Sequence, residues 1–146
     1  MAKYDFFIAG RWRNKDNIKP VLNTIRASGK TAYCFIENEY KGEALSFPIE
    51  NQETIEASMQ ASELMPRDHP MIRKIFENDI SAERDADNFI VVFPAGLNAH
   101  IEAGVAYGMG KKCYAIGRPD KTETLYCIFD QIFPDLKSLE NWLKAA

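Results

Sequence analysis

The chain predicts an α/β fold: a three-layer sandwich on about five parallel strands. Strand-like segments alternate with helix-patterned ones along 146 residues, which suits a single domain with right-handed crossovers. Residues 89–93, Phe-Ile-Val-Val-Phe, form an unbroken apolar run, as expected of a strand covered on both faces. The apolar period then switches to helical spacing on either side of that run.

The elements follow in order. Residues 4–9 are a short apolar run ending at Gly10, the first strand. Residues 17–28 carry Ile18, Val21, Leu22 and Ile25 on one helical face, and Gly29 stops them. Residues 31–36 are a second strand, 37–47 a loop, and 52–64 a helix. Pro66 and Pro70 break the chain before a helix at 71–86, with Ile72, Ile75, Phe76 and Ile80 expected inward. The strand at 89–93 leads to a helix at 99–110, then a fourth strand at 113–116. A short helix at 124–129, a fifth strand at 131–133 and a last helix at 136–145 complete the chain. Asp135 is the expected cap of that helix, with Leu139, Trp142 and Leu143 facing inward.

Composition excludes several classes. Net charge is -3 and no long basic run occurs, so nucleic acid is not an expected partner. No apolar run nears the roughly 20 residues of a membrane span. Cys34, Cys113 and Cys127 lack metal spacing, and their odd number without a secretory signal points to reduced thiols in the cytoplasm. No Walker loop, GxGxxG, HExxH or His/Cys cluster is present, so neither a cofactor nor a metal is expected.

Chemistry concentrates at 91–112, which reads as a buried strand, a Gly/Pro loop and a helix of small residues. Such a strand-to-helix loop is where α/β proteins bind ligands. Glu102 is the one acid between Ala99 and Gly110. Placed in the first turn, it would be kept ionised by the helix N-terminus, as a carboxylate nucleophile requires. The plainer alternative is an acid that merely satisfies a helix end. Asp79 falls on or beside the apolar face of its helix, where an ionised carboxylate needs a partner or a cavity. A salt bridge to Arg73 or Arg84 is the plainer reading there. Asp87 precedes the third strand and reads as a turn residue or a ligand contact. Arg11 and Arg13 follow the first strand on the expected ligand side, where a guanidinium suits phosphate or carboxylate. His100 caps the helix or lines the pocket.

Three blocks carry a resemblance. They are Phe6-Phe7-Ile8-Ala9-Gly10; Asn78-Asp79-Ile80 with the strand after Asp87; and His100-Ile101-Glu102-Ala103-Gly104-Val105-Ala106-Tyr107-Gly108-Met109-Gly110-Lys111. In this order they resemble the nucleoside 2-deoxyribosyltransferase-like family, which includes nucleotide N-glycosidases. The third block is similar to its E-x-G-x-A-x-x-x-G-K signature. The resemblance implies one flavodoxin-like (Rossmann-like) domain over residues 1–146. It implies Glu102 as nucleophile at the anomeric carbon and Asp79 as proton donor or base anchor. Phe6, Gly10, Arg11 and Asp87 are expected to contact substrate. So are Pro94, Gly96, Asn98 and His100, with Gly96, the helix start and Arg11 suited to a 5′-phosphate. Phe6 stands where many transferases have an orienting tyrosine, and no acid precedes the nucleophile in loop 94–98.

The leading expectation is therefore cleavage or transfer at the N-glycosidic bond of a nucleoside or nucleoside 5′-monophosphate. A nucleotide-sensing protein without turnover and an NAD-cleaving relative of the TIR type are the alternatives. Homo-oligomerisation is expected from the aromatic set Tyr107, Tyr126, Phe129 and Phe133.

Overall fold

The computed structural model describes residues 3–37 and 63–145. The helix expected at 52–64 and the loop at 37–47 lie outside these residues, except for positions 37, 63 and 64. Five strands form one parallel sheet: β1 (Tyr4–Ala9), β2 (Ala32–Cys34), β3 (Ala86–Val92), β4 (Lys112–Ile116) and β5 (Gln131–Phe133). Their order is β2-β1-β3-β4-β5. The helices are α1 (Lys15–Ala27), α2 (Pro70–Arg84), α3 (Leu97–Gly108) and α4 (Leu136–Ala145). This is the doubly wound flavodoxin-like order, whose switch point lies between β1 and β3.

Strand alternation sorts the core into two layers. Phe6, Ile8, Ile90, Val92, Tyr114 and Ile116 face α1 and α4, meeting Ile18, Val21, Leu22, Ile25, Leu139 and Leu143. Phe7, Ala9, Phe89, Val91, Cys113 and Ala115 face α2 and α3. The buried apolar residues that the helices present there are Ala82, Ala99, Ala103 and Ala106. Burying a Leu or Ile contributes about 1.5–3 kcal/mol, and alanine much less. The α1/α4 layer therefore carries most of the helix-docking energy. The α2/α3 layer brings its helices close to the sheet and leaves room for polar side chains.

Local signals explain the ends. His69 caps α2, its Nδ1 accepting from the Met71 N–H at 3.1 Å, and Pro70 occupies the first helical position, which needs no N–H. Asp135 accepts from the Ser138 N–H at 2.8 Å and starts α4. Gly117 follows β4 at φ +106, with Phe93 O only 3.1 Å from where a Cβ would stand, so side-chain bulk is excluded twice.

Three expectations need correction. The second strand is only three residues long, because Phe35–Glu37 tighten into a 3-10 turn. Phe76 is 51% exposed instead of inward, with the Arg73 guanidinium 5.4 Å over its ring. Burial of α2 is confined to its C-terminal end, at Ala82 and Glu83, while Phe76, seven residues before Glu83 and on the same side of the helix, is exposed. Of the aromatics expected to form an interface, Phe129 and Phe133 are core, Tyr126 packs on the core, and Tyr107 alone is exposed. Helix α3 also exposes Leu97 and Ile101, while Leu64, Phe76, Leu125 and Ile132 are exposed elsewhere. Cys34 and Cys113 are buried and Cys127 exposed, all as free thiols. No helix among the described residues is long and apolar enough to cross a membrane.

Candidate active site

Two groups of residues come together, one at the C-terminal sheet edge and one on the α2/α3 face. At the edge, Gly10 ends β1 and the loop of residues 93–96 follows β3. Asn14 ties the two loops, its Nδ2 donating to the Phe93 and Pro94 carbonyls at 3.3 Å each. Arg11 runs alongside Gly96; a Cβ there would stand 3.6 Å from its Nε. Gly10 has no room for a side chain, since a Cβ would lie 2.7 Å from Ile18 Cδ1. Gly96 is the N-cap of α3 and makes no side-chain cap. Pro94 and Asn98 are exposed beside it.

His100 sits at this edge with both ring nitrogens engaged. Nδ1 lies 2.7 Å from the Gly96 carbonyl, and Nε2 lies 2.9 Å from the Tyr126 hydroxyl. A carbonyl only accepts, so Nδ1 is the donor in that bond. The ring packs against Phe93 and Tyr126, which makes His100 a wall of the loop.

The second group is acidic. Helix α3 begins at Leu97, two residues before the expected start, so its first turn holds no acid and Glu102 lies in the second. The expected stabilisation of the anion by the helix end is therefore lost, because that effect fades within one turn. Instead the Glu102 carboxyl is raised well above its ordinary 4.5, first by desolvation and then by the charges of Asp79 and Glu83. Glu102 is half-buried, on the flank of α3 next to the sheet-facing Ala99, Ala103 and Ala106.

Asp79 on α2 does not pair with Arg73, which bridges to Glu77 at 3.6 Å. Its Oδ1 accepts from the Tyr33 hydroxyl at 3.1 Å, and the Asn78 amide donates to that hydroxyl at 3.3 Å. Burial pushes Asp79 up to about 6, against the downward pull of the Tyr33 bond. One turn along, Glu83 is 1% exposed and both its oxygens lack a hydrogen-bond partner among the described residues. Desolvation, then the charge of Asp79, push it up to about 8, opposed by Lys111.

The floor under these acids is aromatic. Tyr33 stacks on Phe7 at 5.2 Å and Phe7 on Phe89 at 5.9 Å, following the register Phe7↔Tyr33 and Phe7↔Phe89. Tyr33 ties this stack to Asp79, whose rise comes first from desolvation. Among the described residues, no group of three or more His, Cys, Asp or Glu is placed to hold a metal ion.

Two expected contacts fall elsewhere. Phe6 is buried on the opposite face of the sheet, against Tyr114, because its neighbour Phe7 takes the face toward α3. Asp87 is exposed at the N-terminal start of β3, away from the loops that follow the strands. Tyr33 and Glu83 were not expected at all. Alternation within Ala32-Tyr33-Cys34 and the four-residue step from Asp79 are the signals that locate them.

The same fold occurs in two enzymes of known structure. One is a 2-deoxyribosyltransferase from Bacillus psychrosaccharolyticus, with TM-score 0.65 and 18% identity over 93% of this chain and 90% of that one. The chain has the fold of the nucleoside 2-deoxyribosyltransferase-like proteins. The other is the Clostridium botulinum CMP N-glycosidase BcmB, with TM-score 0.52 and 17% identity over 95% and 97% of the two chains. No family model matches the sequence, and no curated protein is significantly similar to it.

Proposed function

We propose that the protein cleaves, or transfers at, the N-glycosidic bond of a nucleoside or nucleoside 5′-monophosphate. The observation that carries this reading is the pair Glu102 and Asp79, two carboxyls from helices on the same face of the sheet, with Glu102 raised first by desolvation and then by the charges of Asp79 and Glu83. Such a pair titrates jointly, and its competent form holds one proton and one negative charge. In that form the Glu102 carboxylate attacks the anomeric carbon while Asp79 protonates the departing base. The transition state is oxocarbenium-like, so the carboxylate also stabilises it electrostatically. Water then cleaves the glycosyl ester, giving hydrolysis; a second base in its place gives transfer. Burial pushes Asp79 up to about 6, so it titrates close to neutral pH, the range of a working acid–base group.

The sugar's 5′ end fits the loop edge. The uncapped start of α3 offers backbone N–H groups, and Arg11 beside Gly96 adds a guanidinium, which together favour a 5′-phosphate. Tyr33 bears on the sensor alternative, whose argument was the missing orienting hydroxyl. A tyrosine from β2 brings a hydroxyl to Asp79, so one acid of the pair has a hydroxyl partner.

The test is chromatographic detection of free base after incubation with nucleosides, 5′-nucleotides and NAD. Base release from a nucleotide or nucleoside supports the proposal. Nucleotide binding without release favours the sensor, and nicotinamide release favours the NAD-cleaving alternative.

A further inference from the structure

Tyr33 donates its hydroxyl hydrogen to Asp79 Oδ1 at 3.1 Å, and its oxygen accepts from the Asn78 amide at 3.3 Å. The two bonds run one way. An amide nitrogen only donates, so the phenol oxygen accepts from Asn78 and its single hydrogen is directed at Asp79. The ring is held as firmly as the hydroxyl. It stacks on Phe7 at 5.2 Å, lies against Tyr4 at 5.6 Å, and is carried by the strand pairing Phe7↔Tyr33. Asp79 Oδ2 makes no hydrogen bond among the described residues. The sealed and unpartnered carboxyl oxygens there are those of Glu83, not of Asp79. Asp79 therefore has one oxygen fixed from the sheet and one left open.

A carboxylic acid with one oxygen held as an acceptor carries its proton on the other. We propose that Tyr33 is a positioning residue: it fixes Asp79 Oδ1, so that Oδ2 presents the proton to the departing base, and it steadies the charge left on Asp79 afterwards. The inference rests on the N-glycosidic reading above. Tyr33 keeps its own proton throughout. The Oδ2 proton passes to the base nitrogen, the electron pair of the C–N bond goes to the base, and Glu102 supplies the pair that forms the glycosyl ester. Asp79 becomes a carboxylate as this happens. The Tyr33 bond then becomes charge-assisted and stronger, so it helps the transition state more than the ground state. When water cleaves the ester, its hydroxide stays on the sugar, Glu102 leaves as carboxylate, and the water's other proton returns to Asp79.

The experiment is a double-mutant cycle on base release at neutral pH, with wild type, Tyr33→Phe, Asp79→Asn and the double variant. The substrates are AMP, CMP, GMP and UMP, their nucleosides and deoxy forms, and the ring-fluorinated analogue of each one that is cleaved. Phenylalanine keeps the stack and removes only the hydroxyl. Tyr33→Phe should lower kcat about tenfold or more, a part of the roughly 10²–10⁴-fold of a general acid, with KM little changed. In the Asp79→Asn background it should cost nothing further, because Tyr33 acts only through Asp79. The loss should shrink for the fluorinated bases, which are less basic and leave with less help. Lack of a proton does not explain such a loss. The Tyr33 bond pulls Asp79 down, so Tyr33→Phe holds that proton to higher pH, and Glu102 and Glu83, the other acids coupled to Asp79, are untouched. Factors that multiply in the double variant, or an equal loss on every base, would make Tyr33 merely structural and overturn the proposal. Equal kcat for wild type and Tyr33→Phe would overturn it too, with the N-glycosidic reading left standing. Wild type that releases no base from any substrate sinks that reading, and the proposal with it.

Discussion

Raising carboxyls by burial makes the folded protein bind protons more tightly than the unfolded chain does, and stability must then depend on pH. Glu83 moves from 4.5 to about 8 and Asp79 from 3.8 to about 6. Their contribution is fully present below about pH 4, where the unfolded chain is also protonated, and is lost as pH rises through 6 and then 8. At about 1.4 kcal/mol per pH unit, the Glu83 gap limits its share to about 5 kcal/mol and the Asp79 gap to about 3. The groups interact, so these are ceilings on a joint effect. Asp135 and Glu140 are held below their ordinary values by Ser138 and Lys144, so their contribution fades only at more acid pH. Urea unfolding followed by circular dichroism at pH 5, 7 and 9 reads the effect. Wild type should lose several kcal/mol between pH 5 and 9, and Glu83→Gln should lose less, keeping the share of Asp79 and Glu102. Stability that rises from pH 5 to 9, or a Glu83→Gln curve parallel to wild type, would refute the buried-acid argument.

Other perturbations probe neighbouring parts of the structure. Tyr33→Phe removes the donor to Asp79; a bond to a charged group is worth about 1.5–3 kcal/mol, so Asp79 should rise by about one to two pH units by NMR, and an unchanged value would contradict the contact. Phe6→Tyr should bring no gain in base release, because the new hydroxyl would face α1 and α4; a several-fold gain would place Phe6 at the site after all. Leu97 (84% exposed) and Ile101 (64%), one turn apart on α3, are expected to join two copies of the chain. Sedimentation should then show wild type associated and Ile101→Asp monomeric at micromolar concentration; a monomeric wild type would dismiss the idea.

The sheet was legible because its signals are local and redundant. The continuous run in β3, the Ile18-Val21-Leu22-Ile25 spacing and the Asp135 cap each point to one answer. The acids were legible only in part. Glu102 stands out as a lone acid among small residues, but its turn of helix depends on where α3 starts. Without a Ser, Thr or Asp cap, Gly96 gives a weak start signal, and the boundary moved by two residues. Phe76 and Glu83 lie seven residues apart on the same side of α2, so helical period alone does not tell that only the C-terminal end of the helix is covered. Phe6 and Phe7 are indistinguishable by type, and only strand register decides which one looks toward Glu102.

The most direct measurement is free-base release by wild type and Glu102→Gln on a panel of nucleosides and nucleoside 5′-monophosphates. Glutamine keeps the size of Glu102 and cannot act as a carboxylate nucleophile. Wild type should release base, and Glu102→Gln, folded by circular dichroism, should lose at least about a thousandfold, of the order expected when a covalent route is closed. Asp79→Asn should lose about 10²–10⁴-fold, the range of one general acid. Equal rates for wild type and Glu102→Gln would contradict Glu102 as the nucleophile.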